Sequence, residues 1–220
     1  VRQLLADAIG PLQELSEWAE ADRDWTFAAS VQGIPVRVGL NMSDGTVTGV
    51  GYGASLDGRP LACVVGPPGL LVPGLPRIVT GDPVFDTRVV VHGGPSYVLE
   101  RVFDAELRRV LLETHPPPLV PLIQTDEGWL SLRRSCRRAM GGFGDGEMPS
   151  AAEIHGWLDF VQRLARCLNG AFDACYAEVA RAHGPDAAAA WLAEQHAGHR
   201  RWSSREYLLD LFGPIGALFR

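Results

Sequence analysis

The stretch GDPVFDTRVVVHGGPS, Gly81 to Ser96, sets two carboxylates, Asp82 and Asp86, around Pro83 and Phe85 and closes on two glycines and a Pro. Paired acidic groups in a glycine-bounded loop suit a hard divalent cation, which takes several oxygen ligands. An EF-hand-like loop would place acidic residues at every second position and end on a Glu, and this run does neither. The competing reading is a corner. Asp82-Pro83 starts a turn, Phe85 drops into the core, and Asp86 caps backbone amides or pairs with Arg88. The corner is the reading we carry forward.

Other side chains with chemistry lie further along. In EQHAGHRRW, His196 and His199 stand three apart on a helical pattern and share a face. With His183 or Cys175 they would make a transition-metal set, although no H-E-x-x-H arrangement is present. The opposing reading is a solvated last turn, with His and Arg at the negative end of the helix dipole. Cys136 sits among arginines in RRSCRR, which would favour its thiolate, but no His or Asp partner is identifiable for nucleophilic work. Cys167 and Cys175 read as core. They lie eight residues apart on one helix, about 12 Å in rise, too far for a disulfide. The cluster Arg133, Arg134, Arg137 and Arg138 would suit an acidic partner, a phosphate or anionic headgroups. The alternative is a solvated hairpin end balanced by Asp145 and Glu147. Trp157, Phe172 and Tyr176 share a long helical stripe and either line a pocket or fill a core. The tail YLLDLFGPIGALFR is apolar for a terminus and docks on this chain, a second copy or a partner.

Several chemistries are missing from the pattern. There is no G-x-x-x-x-G-K-[ST] loop, and the chain contains no Lys at all. GVGYGAS, residues 49–55, is glycine-rich but opens no helix, so the dinucleotide reading fails. No G-x-S-x-G elbow occurs. The formal charge of −6 argues against a duplex nucleic-acid binder, which would carry a basic surface for phosphates. No Cys-x-x-Cys pair is present and a secreted disulfide framework is not expected, so reduced thiols in a cytoplasmic setting fit better. No run of about 20 apolar residues is present for a membrane span, and the start of the chain lacks a signal peptide's apolar middle. The all-Arg basic set with abundant Ala and Gly fits a GC-rich, bacterial coding bias.

Positioning these side chains requires the following elements. Leu4, Leu5, Ala8, Ile9, Leu12, Leu15 and Trp18 predict a first helix over 2–21, kinked at Gly10-Pro11. β-rich runs broken by Gln32-Gly33, Asp44-Gly45 and Asp57-Gly58 predict an antiparallel meander over 25–66. PPGLLVPGLPRI is irregular, since its prolines deny ladder pairing. TRVVVH is a strand and YVLERVF a short helix with Ser96 as its N-cap. Asp104 caps AELRRVLLE. THPPPLVP is an extended connector. VPLIQTDEGWLSLRR is a hairpin turning at Glu127-Gly128, followed by a glycine-rich segment over 141–149. Ser150 and Glu153 form a capping box that opens a long helix, which Gly184-Pro185 ends. A further helical piece spans 186–199, and a second capping box, Ser203 to Glu206, opens the tail. The expected fold is α+β, an antiparallel sheet covered by helices on one face, with a helical C-terminal third. The expected division is an α+β domain over 1–140 and a helical region over 150–220 packed on it.

Residues 80–135, from GDPVFDTRVVV through LLETHPPPLVPLIQTDEGWLSLRR, resemble a pattern in uncharacterised bacterial domain-of-unknown-function proteins. In those a Gly-Asp-Pro-x-Phe-Asp turn leads into a strand, short helices and a hairpin, often in membrane-associated contexts. The resemblance implies a structural role for Asp82, Phe85 and Asp86 and implies no catalytic residues. The resulting expectation is a non-enzymatic protein-interaction or scaffold domain of a bacterial protein, without cofactor, with a protein partner or a homo-oligomer. Peripheral membrane association is compatible with it; nucleic acid and a transmembrane segment are not expected. The alternative is a small-molecule or lipid-binding domain with a pocket between the meander and the long helix. An enzyme using Cys136 or a His196/His199 metal ranks third.

Overall fold

Short β-rich runs, tight turns, three short helices and two long ones make up the described part of the chain. The computed structural model describes residues 13–14, 24–31, 33–43, 46–70, 72, 74–114, 122–126, 128–135 and 149–202. The strands are β1 (Gln13–Glu14), β2 (Asp24–Val31), β3 (Ile34–Ser43), β4 (Thr46–Ser55), β5 (Ala62–Gly66), β6 (Arg77–Ile78), β7 (Val90–Gly94), β8 (Leu122–Asp126) and β9 (Trp129–Ser135). The helices are α1 (Pro83–Arg88), α2 (Ser96–Val102), α3 (Ala105–Thr114), α4 (Ala151–His183) and α5 (Pro185–Trp202). This is an α+β protein with antiparallel sheets and a helical C-terminal third, as the segment pattern predicts. Two compact units are present: Val1–Ser55 with Trp129–Ala165, and Leu56–Gly128 with Arg166–Arg220.

The first unit holds the strands in the order β1-β2-β3-β4-β9, all antiparallel. Val31 pairs with Ile34 and Ser43 with Thr46, so the strands on either side of the predicted Gln32-Gly33 and Asp44-Gly45 turns pair as hairpins do. Side chains alternate across a strand, and the register lines up the inward set. Phe27, Val38, Tyr52 and Leu132 are successive cross-strand partners, and all are almost fully buried. Ala29, Val36, Ala54 and Leu130 make a second row of cross-strand partners, all buried except the half-buried Ala29. The first turns of α4 supply Ile154, Leu158, Val161 and Leu164 to this core. On β3, Arg37 lies 3.8 Å from the ring centre of Trp129. Gly53 is its cross-strand neighbour, with no side chain to intrude.

Two expectations need correction in this unit. Gln13 and Glu14, placed in the first helix, instead pair as a short strand with Ala28 and Phe27. Their pairing is set by the partner strand β2, a contact that helical spacing within the segment does not reveal. The remainder of 2–21 lies outside the described residues. The meander ends at Ser55 rather than 66. Leu56 to Arg59 turn on Asp57 and Gly58, both at positive φ (50° and 74°), with the Arg59 N–H donating to the Leu56 carbonyl at 3.0 Å. Pro60 then has no N–H to give a ladder. The open side of β4 is taken by β9, a pairing across more than 70 residues that no local pattern announces.

The second unit has the order β8-β5-β7-β6, again antiparallel. β5 (ACVVG) and β7 (VVHGG) are buried along their whole length, as strands with neighbours on both sides and a covered face should be. Between Gly81 and Ser96 the expected strand starts later than predicted. Asp82 accepts from the Val84 and Phe85 amides, and Pro83 sits at the helix start where its missing N–H costs nothing, so α1 runs to Arg88. Only at Val90 does the β-branched run take over. α2 begins with Pro95 in the capping position, so Ser96 is its first helical residue and not the N-cap. Asp104 does cap α3, accepting from the Leu107 N–H at 2.9 Å. The capping box at α4 forms as predicted: Ser150 N–H donates to Glu153 Oε2 at 2.9 Å, and the Glu153 N–H returns to Ser150 Oγ at 3.2 Å. α4 ends at His183 and α5 starts at Pro185, where Gly184-Pro185 predicts the break. No described helix is long and apolar enough to cross a membrane.

Candidate functional site

The corner Gly81–Ser96 uses its polar groups on its own backbone. The Asp86 carboxylate accepts from the Thr80 amide (3.1 Å), the Thr80 hydroxyl (3.0 Å) and the Gly81 amide (3.1 Å). Asp82 caps α1 and lies 3.5 Å from Arg108 Nε on α3. Phe85 is fully buried and packs on Phe103 with ring centres 6.3 Å apart. Asp86 is thus directed upstream to Thr80 and Gly81 rather than to Arg88. The two carboxylates accept from different amides, Asp82 from Val84 and Phe85 and Asp86 from Thr80 and Gly81. Among the described residues no three His, Cys, Asp or Glu side chains are grouped to hold a metal ion.

On β7 the same motif carries two residues of special geometry. His92 is 7% exposed, with Nδ1 3.1 Å from the Leu75 carbonyl and Nε2 3.2 Å from the Leu70 carbonyl. Gly93 pairs with Cys63, and a side chain there would run into the Ala62 carbonyl and come within 2.5 Å of Leu99 Cδ1. Gly is therefore required for α2 to lie close on β7.

An aromatic cluster gathers on the helices of this unit. Trp191 of α5 packs against Phe172 (ring centres 5.1 Å) and Tyr176 (6.2 Å) of α4 and against Tyr97 (6.3 Å) of α2. Its indole N–H donates to the Tyr97 hydroxyl at 2.6 Å. Phe172 is buried, Trp191 and Tyr176 are half-buried, and Tyr97 is 41% exposed. Desolvation pushes the Tyr97 phenol up, with the Trp191 N–H pulling the other way. Beside the cluster, Arg101 makes a two-point pair with Glu178 at 2.9 and 2.8 Å. The Arg101 hydrogen bond holds the Glu178 carboxyl below its usual range. A second clamp joins loop to helix. Arg59 donates to both oxygens of Asp173 at 2.9 and 2.7 Å and to Asp57 at 3.2 Å. The Asp173 hydrogen bond is the first reason that the Arg59 guanidinium is held further in its charged form.

The aromatic residues proposed from sequence part into two settings. Phe172 and Tyr176 join the Trp191 cluster. Trp157, fifteen residues earlier on α4, stacks on Tyr52 (6.4 Å) and meets Phe160 edge-on (6.3 Å) in the first unit. Arg133 and Arg134 lie on β9, paired with Gly51 and Val50. Arg137, Arg138 and Cys136 lie outside the described residues, as do the connector THPPPLVP, nearly all of the glycine-rich segment, the Ser203–Glu206 box and the tail. His196 is exposed on α5 and His199 half-buried.

The remaining cysteines are free. Cys63 is fully buried, and desolvation pushes its thiol up to about 12. Cys175 is buried and pushed up for the same first reason. Both are thereby weak nucleophiles at neutral pH. Cys167, read as core, is exposed on α4; its neighbours Ala165 and Leu168 face the core and leave it on the outer side.

Sequence reasoning missed Tyr97, Trp191, His92 and Arg59 as residues of interest. One signal was available for Trp191, a single large aromatic after an alanine run in DAAAAWLAEQ. Comparison with protein-family models, curated proteins and solved structures finds no match for this chain.

Proposed function

We propose that this chain is a non-enzymatic protein-interaction or scaffold domain of a bacterial, cytoplasmic protein, related to the uncharacterised group that residues 80–135 resemble. The observation that carries the reading is the Tyr97–Trp191 patch. Tyr97 presents aromatic surface to solvent while its ring and hydroxyl are already held by Trp191. Tyr and Trp dominate the binding energy of protein interfaces, and a side chain ordered before binding loses less entropy on association. The groups that would do chemistry are engaged elsewhere. Asp82 and Asp86 cap backbone amides, and the Cys63 and Cys175 thiols are suppressed. The Arg133, Arg134, Arg137 and Arg138 cluster is a second candidate surface, suited to an acidic partner.

Quantitative affinity capture from the native cell, with wild type, Tyr97→Ala and a quadruple Arg-to-Ser variant in parallel, tests both surfaces. A protein recovered reproducibly by wild type and lost with Tyr97→Ala supports the aromatic patch. Unchanged recovery removes it. Native mass spectrometry of the untreated chain decides against the reading in favour of a small-molecule or lipid-binding domain if it shows a carried organic mass.

A further inference from the structure

His92 holds the segment 67–76 (PPGLLVPGLP) by two contacts of the same kind. Both ring nitrogens face backbone carbonyl oxygens, Nδ1 that of Leu75 and Nε2 that of Leu70. A neutral imidazole has one N–H and one lone pair, so it can donate to only one of them. The other carbonyl then faces a lone pair at hydrogen-bond distance in a buried site. A ring carrying both protons donates to both. We propose that His92 is a proton-operated clasp on this loop, closing both contacts when the ring is doubly protonated and releasing one when it is not.

The surroundings leave the imidazole as the group that changes. The loop 67–76 contains no titratable residue. β5 contributes Cys63, whose thiol is pushed up to about 12 and stays neutral between pH 5 and 8. β6 contributes Arg77, the cross-strand partner of His92, exposed and donating to the Asp86 carbonyl at 2.9 Å. α2 brings Tyr97, Glu100 and Arg101, all exposed, with Arg101 paired to Glu178. The described residues of the loop also make backbone ties. Leu70 N–H reaches the Pro67 carbonyl, Leu75 N–H the Val72 carbonyl, and Gly93 N–H the Pro76 carbonyl. Loss of one His92 contact therefore removes one of the ties that hold the segment leading into edge strand β6.

Amide hydrogen exchange on the full chain at about pH 5.5 and about pH 8, expressed as protection factors, tests the clasp in the range where imidazoles titrate. Leu70 and Leu75 are expected to be about fivefold to tenfold better protected at the lower pH, the worth of one hydrogen bond. His92→Gln, which keeps a donor but cannot gain a proton, is expected to lose that dependence. The ring itself is read by imidazole ¹⁵N shifts in wild type, which does not depend on the variant folding. Two protonated nitrogens at the lower pH with a protected loop support the proposal. Equal protection at both pH values, a ring that stays neutral throughout, or the same dependence in His92→Gln overturns it.

Discussion

The indole N–H of Trp191 meets the hydroxyl of Tyr97 at 2.6 Å, and this one bond ties α5 to α2 across more than 90 residues of sequence. Among the described residues of α5 Ala188 is fully buried, and the half-buried Trp191 adds ring contacts to Phe172, Tyr176 and Tyr97. Trp191→Ala is expected to cost about 2–3 kcal/mol, under the value for a fully buried Trp because the ring is only half-buried. Trp191→Phe keeps the ring contact and loses the donor, for about 0.5–1.5 kcal/mol. Urea unfolding followed by circular dichroism measures both, and equal losses in the two variants would contradict the hydrogen bond's separate role.

Asp82→Ala removes the N-cap of α1 and is expected to lower stability by about 1 kcal/mol. Asp86→Ala leaves the Thr80 and Gly81 amides without their acceptor and should cost about 1–3 kcal/mol. Because both carboxylates are committed to backbone, added Mg²⁺ or Ca²⁺ should not raise the melting temperature. A metal-dependent rise that disappears in Asp86→Ala would restore the cation reading.

Gly93→Ala puts a methyl group against the Ala62 carbonyl and Leu99. The Ala62 oxygen is backbone of β5 and cannot rotate away as a side chain can, so the β5–β7 pair must shift, whereas the Leu99 side chain of α2 can move its far end. A loss of about 1–3 kcal/mol is expected, seen as a lower denaturation midpoint. Leu99→Ala in the same background should recover part of it, and no recovery would place the clash wholly on Ala62.

Alkaline pH should weaken the fold through Cys63. Its folded value is raised from 9.0 to about 12 by burial, so above 9.0 the unfolded thiol gives up its proton while the folded one keeps it. The folded state then binds more protons, and stability present below 9.0 declines as pH rises toward 12. The slope approaches roughly 1.4 kcal/mol per pH unit within that window. Cys63→Ala should flatten it, as read by denaturation at stepped pH. Native Cys63 should also react with a thiol reagent far more slowly than exposed Cys167, and comparable rates would refute its burial.

Local chemistry made much of this protein legible from residues alone. The Ser150–Glu153 box, the Asp104 cap, the Gly184-Pro185 break and the two hairpins of the first sheet all rest on interactions within a few residues. Their partners stand close in the sequence, and the pattern contains both. The same holds for the corner at Asp82 and Asp86, whose acceptors and donors lie within six residues of one another. Where local signals competed, the boundary shifted. Pro83 and the Asp82 cap drew residues 83–88 into a helix before the valines could begin a strand.

What the residues could not announce are pairings between distant segments. β9 joins β4, β5 turns to β7 and β8 instead of continuing the meander, and Trp191 finds Tyr97. Each of those choices is made by burial: the apolar rows of strands far apart in the chain match in register only once the sheet is assembled. His92 shows the same limit in a single residue. Its type and its strand are visible in VVVHGG, but the two carbonyls that receive its nitrogens belong to a proline-rich loop about 20 residues upstream, brought there by the folding of β6 against β7. The chain's own order determined the elements and their caps. Tertiary packing decided which side chains meet, because contact energy depends on distance in space and not along the chain.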